Sequence, residues 1–346
     1  MQYRQLGKTD LDVSLIGLGT MTWGRQNTQD EGFEQMDYAL KQGINFFDTA
    51  EMYAVPPSAD TYGKTETIIG NWFASRKNRE KVILASKIAG PGMPWVREGS
   101  NYIDRKNILL AVEGSLKRLQ TDYIDLYQLH WPNRGSYHFG QIWDYAPNFD
   151  KQAVEDNFMD VLETLDELIK AGKIRHVGLS NETAWGTSKW LELAEKHNLP
   201  RMASIQNEYS LMARHFEPDL SEISLHEDCG LLAWSPLTRG LISGKYLDGA
   251  MPEGTRLAID SRAEHRASAQ TDATIKAYIA LAKAHDLDVC QMALAFVNQQ
   301  PFVTSNLIGA TNMQQLKSNI NSINLTLSDE VNEGIKAIRR QYPMSF

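Results

Sequence analysis

Residues 44–53 read INFFDTAEMY, an apolar run that stops on a carboxylic acid, Asp48, with a phenol, Tyr53, five positions on. Two more chemically able groups close apolar runs further along, Lys87 in VILASK and His130 in YIDLYQLH. Together they could move a proton. An ammonium beside a phenol stabilises phenolate, so Tyr53 near Lys87 is expected to titrate below its ordinary value of about 10. That suits a proton donor working near neutral pH. His130 can donate a hydrogen bond to a substrate oxygen and orient it. Asp48 and Lys87 would form a buried ion pair, which is costly unless its remaining hydrogen bonds are met. Taken singly, each residue has a plainer reading: Asp48 as a helix cap, Tyr53 as loop packing, His130 as a satisfied core histidine.

The elements that must position these groups recur regularly. β-rich runs lie at 14–19, 44–49, 82–87, 123–130, 176–181, 204–209, 231–236 and 305–310. Helical patterns separate them, as in FEQMDYALKQG, NILLAVEGSLKRL, VLETLDELIKAG and ATIKAYIALAKAHD. The first closes on Gly43 and the third on Gly172, as C-caps do. Strand–helix alternation repeated eight times predicts a parallel sheet closed into a (β/α)8 TIM barrel, one domain over residues 1–346. YRQL and LDVS flank the turn GKTD and predict an N-terminal β-hairpin that plugs the barrel bottom. Two overlong connections, 132–153 and 237–268, would overhang the C-terminal face, and LSDE at 327–330 starts a last helix.

In such a barrel the strand ends surround one mouth. Here they are Asp48, Lys87, His130, Ser180 with Asn181, Gln206 with Asn207, Ser235, and Gly309 before Thr311. Seven consecutive polar ends are more than helix capping asks for.

Composition narrows the classes. The chain has 346 residues, 42% hydrophobic and 23% charged, with a net charge of −8. That excludes a broad nucleic-acid surface, which wants clustered Lys and Arg. No stretch approaches the roughly 20 apolar residues of a membrane helix. Two cysteines, Cys229 and Cys290, fit a reducing compartment, and the chain is read as cytoplasmic. Metal ligands at usable spacing are lacking, so no metal is expected. GLGTMTWG has a G-x-G, but Thr22 stands where a dinucleotide fingerprint needs its third small residue. GKT at 7–9 and 63–65 lacks the first glycine of a phosphate loop, with Gln2 and Ser58 in its place.

GLGTMTWG, FFDTAEMY, ILASK, RLQTDYIDLYQLHWP, GKIRHVGLSN, SIQNEYSL, LLAWSPLTRGLISGKY and IGATNMQQLKSNI occur in the order seen in the aldo-keto reductases and span nearly the whole chain. Within that superfamily the chain resembles the Tas-like bacterial branch, related to the potassium-channel beta subunits. The resemblance implies an NADP(H)-dependent reduction of an aldehyde or ketone, with a small carbonyl compound as the substrate. Asp48, Tyr53, Lys87 and His130 fall on the catalytic tetrad, Tyr53 as general acid. Ser180, Asn181 and Gln206 match the residues that hold the nicotinamide carboxamide, and Trp234 the ring on which nicotinamide stacks. Ser235, Pro236, Leu237, Thr238, Arg239, Gly240, Leu241, Ile242, Ser243, Gly244 and Lys245 match the loop that wraps the pyrophosphate, with Arg256 reaching phosphates. Gly309, Thr311, Gln315 and Asn319 match the adenosine end, and Thr20, Met21 and Gln26 further cofactor contacts. NADP preference rests on Thr311, Lys317 and more distant arginines. Trp23, Tyr53, Trp131 and the 132–153 connection are expected to wall an aromatic substrate pocket.

Two other classes compete. A lysine-based aldolase would use Lys87 as a Schiff base, but a neighbouring Asp48 keeps that amine charged. A nicotinamide-binding regulatory barrel with little turnover would need the cofactor contacts and not the tetrad. The residues leave the oligomeric state open.

Overall fold

The computed structural model describes residues 1–99, 101–147, 150–260, 266–344 and 346. Residues 148–149 and 261–265, within the two overlong connections, lie outside the described residues. The chain opens with an antiparallel hairpin of β1 (Tyr3–Gln5) and β2 (Asp12–Ser14), Tyr3 opposite Ser14. Eight parallel strands follow: β3 (Ile16–Gly19), β4 (Phe46–Asp48), β5 (Ile83–Ile88), β6 (Ile124–Leu129), β7 (Ile174–Ser180), β8 (Met202–Glu208), β9 (Gly230–Trp234) and β10 (Val303–Ile308). They close in sequence order, β10 pairing with both β9 and β3. This is the TIM barrel expected from the eight runs, each strand within two or three residues of its run.

The helices are α1 (Gln29–Lys41), α2 (Lys64–Arg76), α3 (Arg105–Leu119), α4 (Lys151–Lys170), α5 (Ala184–His197), α6 (Leu220–His226), α7 (Arg256–Ile259), α8 (Ala269–Ala284), α9 (Val289–Asn298), α10 (Met313–Asn321) and α11 (Asp329–Gln341). Their starts are written locally. Thr28 and Glu31 form a reciprocal capping box at α1, and Ser328 caps α11. None of these helices is long and apolar enough to cross a membrane. The two long connections carry short helical turns at Gln141–Trp143, Thr238–Ser243 and Leu247–Gly249. Left-handed residues such as Arg239 (φ 57°) and Gly240 (φ 89°) interrupt them, which is why no helical period shows in the sequence.

Two apolar layers hold the barrel. The outer one sets Leu18, Phe47, Tyr127 and Ile205 against helix residues such as Trp72, Val112 and Leu162. The inner one fills the bottom of the barrel with Phe46, Ala85, Leu126, Leu232 and Leu307, closed from below by Leu6 and Val13 of the hairpin. Each fully buried Leu or Phe there contributes roughly 1.5–3 kcal/mol. The barrel is therefore a well with an apolar floor, open at the C-terminal ends of its strands.

Candidate active site

Residues two apart on a strand share a face. Above the inward-facing Phe46, Ala85 and Leu126 of the floor stand Asp48, Lys87 and Gln128 on the same strands. Register places Asp48 beside Ala85 and Lys87 beside Gln128. Lys87 Nζ donates to Asp48 Oδ2 at 2.6 Å and to the Thr49 carbonyl at 2.7 Å. Asp48 Oδ1 accepts from Gln128 Nε2 at 3.1 Å and from Gln206 Nε2 at 2.8 Å. Both carboxylate oxygens and the ammonium are thus satisfied, which a buried ion pair requires. Asp48 caps nothing: α2 starts from Gly63, with no side-chain cap.

Glu51, the other acid of INFFDTAEMY, turns away from this layer. It pairs with Arg97 and accepts from the Ala89 N–H at 2.6 Å and the Tyr62 hydroxyl at 2.9 Å. Its own N–H donates to the Lys87 carbonyl at 3.2 Å. This anchors the turn that carries Tyr53 to β5. The Tyr53 ring stands 5.2 Å from Lys87 Nζ and edge-on to the His130 imidazole, centroids 5.8 Å apart. The phenol, ammonium, carboxylate and imidazole converge on one spot above the floor.

The expected lowering of the Tyr53 pKa is not what the protein shows. Burial, the largest influence, raises the phenol above its ordinary value; the Lys87 charge and hydrogen bond pull the other way without prevailing, and the Asp48 charge adds to the rise. The reason is that Lys87 already spends its charge on Asp48, while a phenolate at this half-buried position would lose part of its hydration. Tyr53 is a protonated acid at neutral pH. His130 is pushed well below its ordinary 6.5, by burial first and the Lys87 charge second. It is a neutral imidazole whose Nδ1 is sealed without a partner, which leaves Nε2 to serve a ligand. The His130 ring resonances are accordingly expected to stay flat as pH falls through about 6.5; an NMR titration with a midpoint there would contradict this environment.

Asn181 sits in the left-handed region (φ 53°) just after β7. Its amide donates to the His130 carbonyl at 2.9 Å and to Ser180 Oγ at 3.0 Å, and accepts from the Trp234 indole at 3.2 Å. Ser180 Oγ donates to the Gln206 carbonyl at 2.9 Å. Neither Ser180 nor Asn181 caps α5, which Thr183 does. Thr20 Oγ1 donates to the Asp48 carbonyl at 2.8 Å. Met21 sulfur accepts from Arg256 at 3.5 Å, and the Gln26 amide donates to the Gly254 carbonyl at 3.0 Å, so both tie the exit of β3 to the connection after β9.

In that connection the side chains of Thr238, Leu241 and Ile242 are buried, Thr238 Oγ1 donating to Ser210 Oγ at 3.1 Å. These three side chains pack inward, and the Thr238 N–H donates to the Ser235 carbonyl at 2.7 Å. The turn at Gly240 lies under the Lys245 ammonium, which a Cβ there would meet at 3.3 Å. Arg239 is drawn down to about 10 by burial and then by the like charge of Arg266, with Arg256 adding to it. Glu208 and Asp260, the ionic partners of Arg266 and Arg256, offset part of this repulsion. At the far rim, Gln315 Oε1 accepts from the Thr311 N–H at 2.9 Å and its hydroxyl at 3.1 Å, and the Asn319 amide donates to the Gly309 carbonyl at 3.1 Å. Asn312 caps α10 between them. Lys317 lies over the Tyr38 ring of α1, 5.5 Å from its centroid.

The walls of the mouth are partly those expected. Trp131 stands 4.8 Å from the His130 ring. Phe139, from the connection after β6, meets Trp131 edge-on at 6.2 Å and lies nearly parallel to Trp234 at 6.1 Å and 20°. Trp23 is a correction: it is fully buried, its indole donates to Gln35 Oε1 at 3.1 Å, and it belongs to the outer core rather than the pocket. The residue reading missed Gln128, although strand alternation puts it on the face of His130, two positions on. It also missed Phe139, which sits in a segment without period, and the Glu208–Arg266 pair at 2.5 Å, whose partners lie 58 residues apart.

Comparison with known proteins gives this geometry a setting. The profile of the Aldo/keto reductase family matches residues 15–340. Protein tas of Escherichia coli is 49% identical over 345 residues, covering 99% of each chain. The oxidoreductase YrpG of Bacillus subtilis is 34% identical, covering 96% of this chain and 94% of its own. Norsolorinic acid reductase stcV of Emericella nidulans is 30% identical over 92% of this chain and 76% of its own.

Proposed function

The chain belongs to the aldo/keto reductase family, and from that premise we propose that it is a cytoplasmic, NADPH-dependent reductase that converts an aldehyde or ketone to its alcohol, with Tyr53 as the general acid. The observation that carries this reading is the convergence of Tyr53, Lys87, Asp48 and His130 at the open end of a well with an apolar floor.

The donor set fits a nicotinamide dinucleotide. Trp234 offers a ring fixed by its hydrogen bond to Asn181, and Ser180, Asn181 and Gln206 surround it with amide and hydroxyl groups. Arg239, Arg256 and Lys245 supply positive charge for phosphates, in a chain whose net charge is −8. Gly309, Thr311, Gln315 and Asn319 gather at the N-terminus of α10, where an anion is favoured. NADPH, when bound, supplies the hydride. The protein's own groups do the rest. His130 donates to the substrate oxygen and orients the carbonyl. Tyr53 gives its hydroxyl proton to that oxygen as charge develops on it, and Lys87 stabilises the phenolate left behind, held in place by Asp48. Tyr53, Trp131 and Phe139 wall the mouth with aromatic carbon, which suits apolar or planar carbonyl compounds. Norsolorinic acid belongs in the substrate panel because relatives bear its name.

Such a panel, run with NADPH and with NADH, is the direct test. Carbonyl-dependent loss of NADPH absorbance, faster than with NADH, is expected; tight NADPH binding without turnover on any carbonyl would point instead to a regulatory barrel. Trp234→Ala removes the stacking ring and its tie to Asn181. It is expected to raise the NADP+ dissociation constant about tenfold by calorimetry; an unchanged constant removes the ring from the cofactor site.

A further inference from the structure

Gln128 is wholly buried in mid-strand, one level below His130, and the tetrad chemistry gives it no part. Its hydrogen bonds are specific. Its Nε2 donates to Asp48 Oδ1 at 3.1 Å, and its Oε1 accepts from Gln206 Nε2 at 3.1 Å. Gln206 Nε2 donates its second proton to the same Asp48 oxygen at 2.8 Å. β7 contributes Gly178 at this level, so no side chain from the intervening strand stands between the two glutamines. A Cβ at Gly178 would meet Ser204 Oγ at 2.9 Å.

The triangle fixes the chemistry of Gln206. A carboxylate only accepts, so the amide end facing Asp48 must be Nε2 in both glutamines. One bond, to Asp48, sets which way the Gln206 amide faces. The second, to Gln128, sets its plane. With both N–H groups spent, Gln206 presents only Oε1 to a ligand, as an acceptor of fixed direction. We infer that Gln128 is a positioning residue that acts through Gln206, locking its amide so that Oε1 serves as a dedicated acceptor for the carboxamide N–H of a nicotinamide ring. This rests on the proposed use of a nicotinamide cofactor.

The test compares binding of NADP+ with that of its 3-acetylpyridine analogue, in which a methyl group replaces the carboxamide NH2 and the ring carbonyl is kept. Calorimetry reads both constants without turnover. The natural protein is expected to prefer NADP+ by about tenfold, the worth of one well-aligned hydrogen bond. Gln128→Met keeps the volume and removes both bonds; the preference should fall about three- to fivefold, with the analogue's own affinity nearly unchanged. In a Gln206→Met background the same substitution should change the preference by less than about twofold, because the residue it acts through is gone. Gln128→Glu is the rescue. Beside Asp48 its carboxyl is protonated, donates to Asp48 and keeps an oxygen toward Gln206. Its preference should match the natural protein's at low pH and decline as pH rises and that proton is lost. A pH-dependent preference in this variant alone is something a mere space-filling role does not produce, and it carries the test if Gln128→Met does not fold. An unchanged preference in Gln128→Met, or an equal loss in the Gln206→Met background, overturns the inference while leaving the cofactor assignment standing. Failure of the natural protein to bind NADP+ overturns both.

Discussion

Tyr53→Phe is expected to lower carbonyl reduction by about 10²–10⁴-fold, the usual worth of a positioned general acid, while the NADP+ dissociation constant stays within about twofold. The substitution removes one oxygen and leaves the ring that stands edge-on to His130 and 5.2 Å from the Lys87 ammonium. Packing is therefore kept, and what is lost is the hydroxyl with its proton and its hydrogen bond to Lys87. Burial holds the Tyr53 pKa above its ordinary value. The phenol thus remains protonated as pH rises through the neutral range, and reduction by the natural protein should be flat from about pH 6 to 9. Stopped-flow single turnovers separate the chemical step from product release. Normal single-turnover rates in Tyr53→Phe would remove the residue from the chemistry.

Lys87→Met is the second large effect, and it strikes stability as well as rate. Lys87 is completely buried and its ammonium is the ionic partner of Asp48 Oδ2. Removing one partner of a buried pair strands the other, at a cost of about 3–5 kcal/mol. Denaturant titration of Lys87→Met should show that loss, together with a turnover no better than that of Tyr53→Phe. Adding Asp48→Asn should recover much of the stability, since no charge is then left alone, and none of the turnover. A double variant as unstable as Lys87→Met would mean that the cost lies in packing rather than in the stranded carboxylate.

The barrel was legible because its evidence is local. Each strand is a short apolar run, most of them closed by a polar residue, and each run could be placed without knowing its neighbours. α9 shows the limit: Met292 through Asn298 are all buried, so it has no polar face and no helical period to find. The cluster at the mouth was legible for the same reason as the strands, since Asp48, Lys87 and His130 stand at or beside the ends of theirs. What escaped depended on depth or on long-range contact. The direction of the Tyr53 shift turns on how much water reaches the ring, which no spacing encodes. Gln128 lies inside a strand, beyond a search of strand ends. Phe139 reaches Trp234 only because a loop folds back over the mouth. Trp23 resembled a wall residue by position and proved to be core, its indole held by Gln35 one helix away.

The hairpin that seals the bottom of the barrel has a consequence for traffic. Leu6 and Val13 pack under the apolar floor, so among the described residues the well opens at the C-terminal ends of its strands. Whatever settles deep against the Asp48–Lys87 layer must arrive before anything lodged above it, and must wait for that upper guest to go before it can leave. Order of arrival and departure is therefore expected to follow depth, as in a narrow corridor where the first to enter is the last to come out, and product-inhibition kinetics would read it.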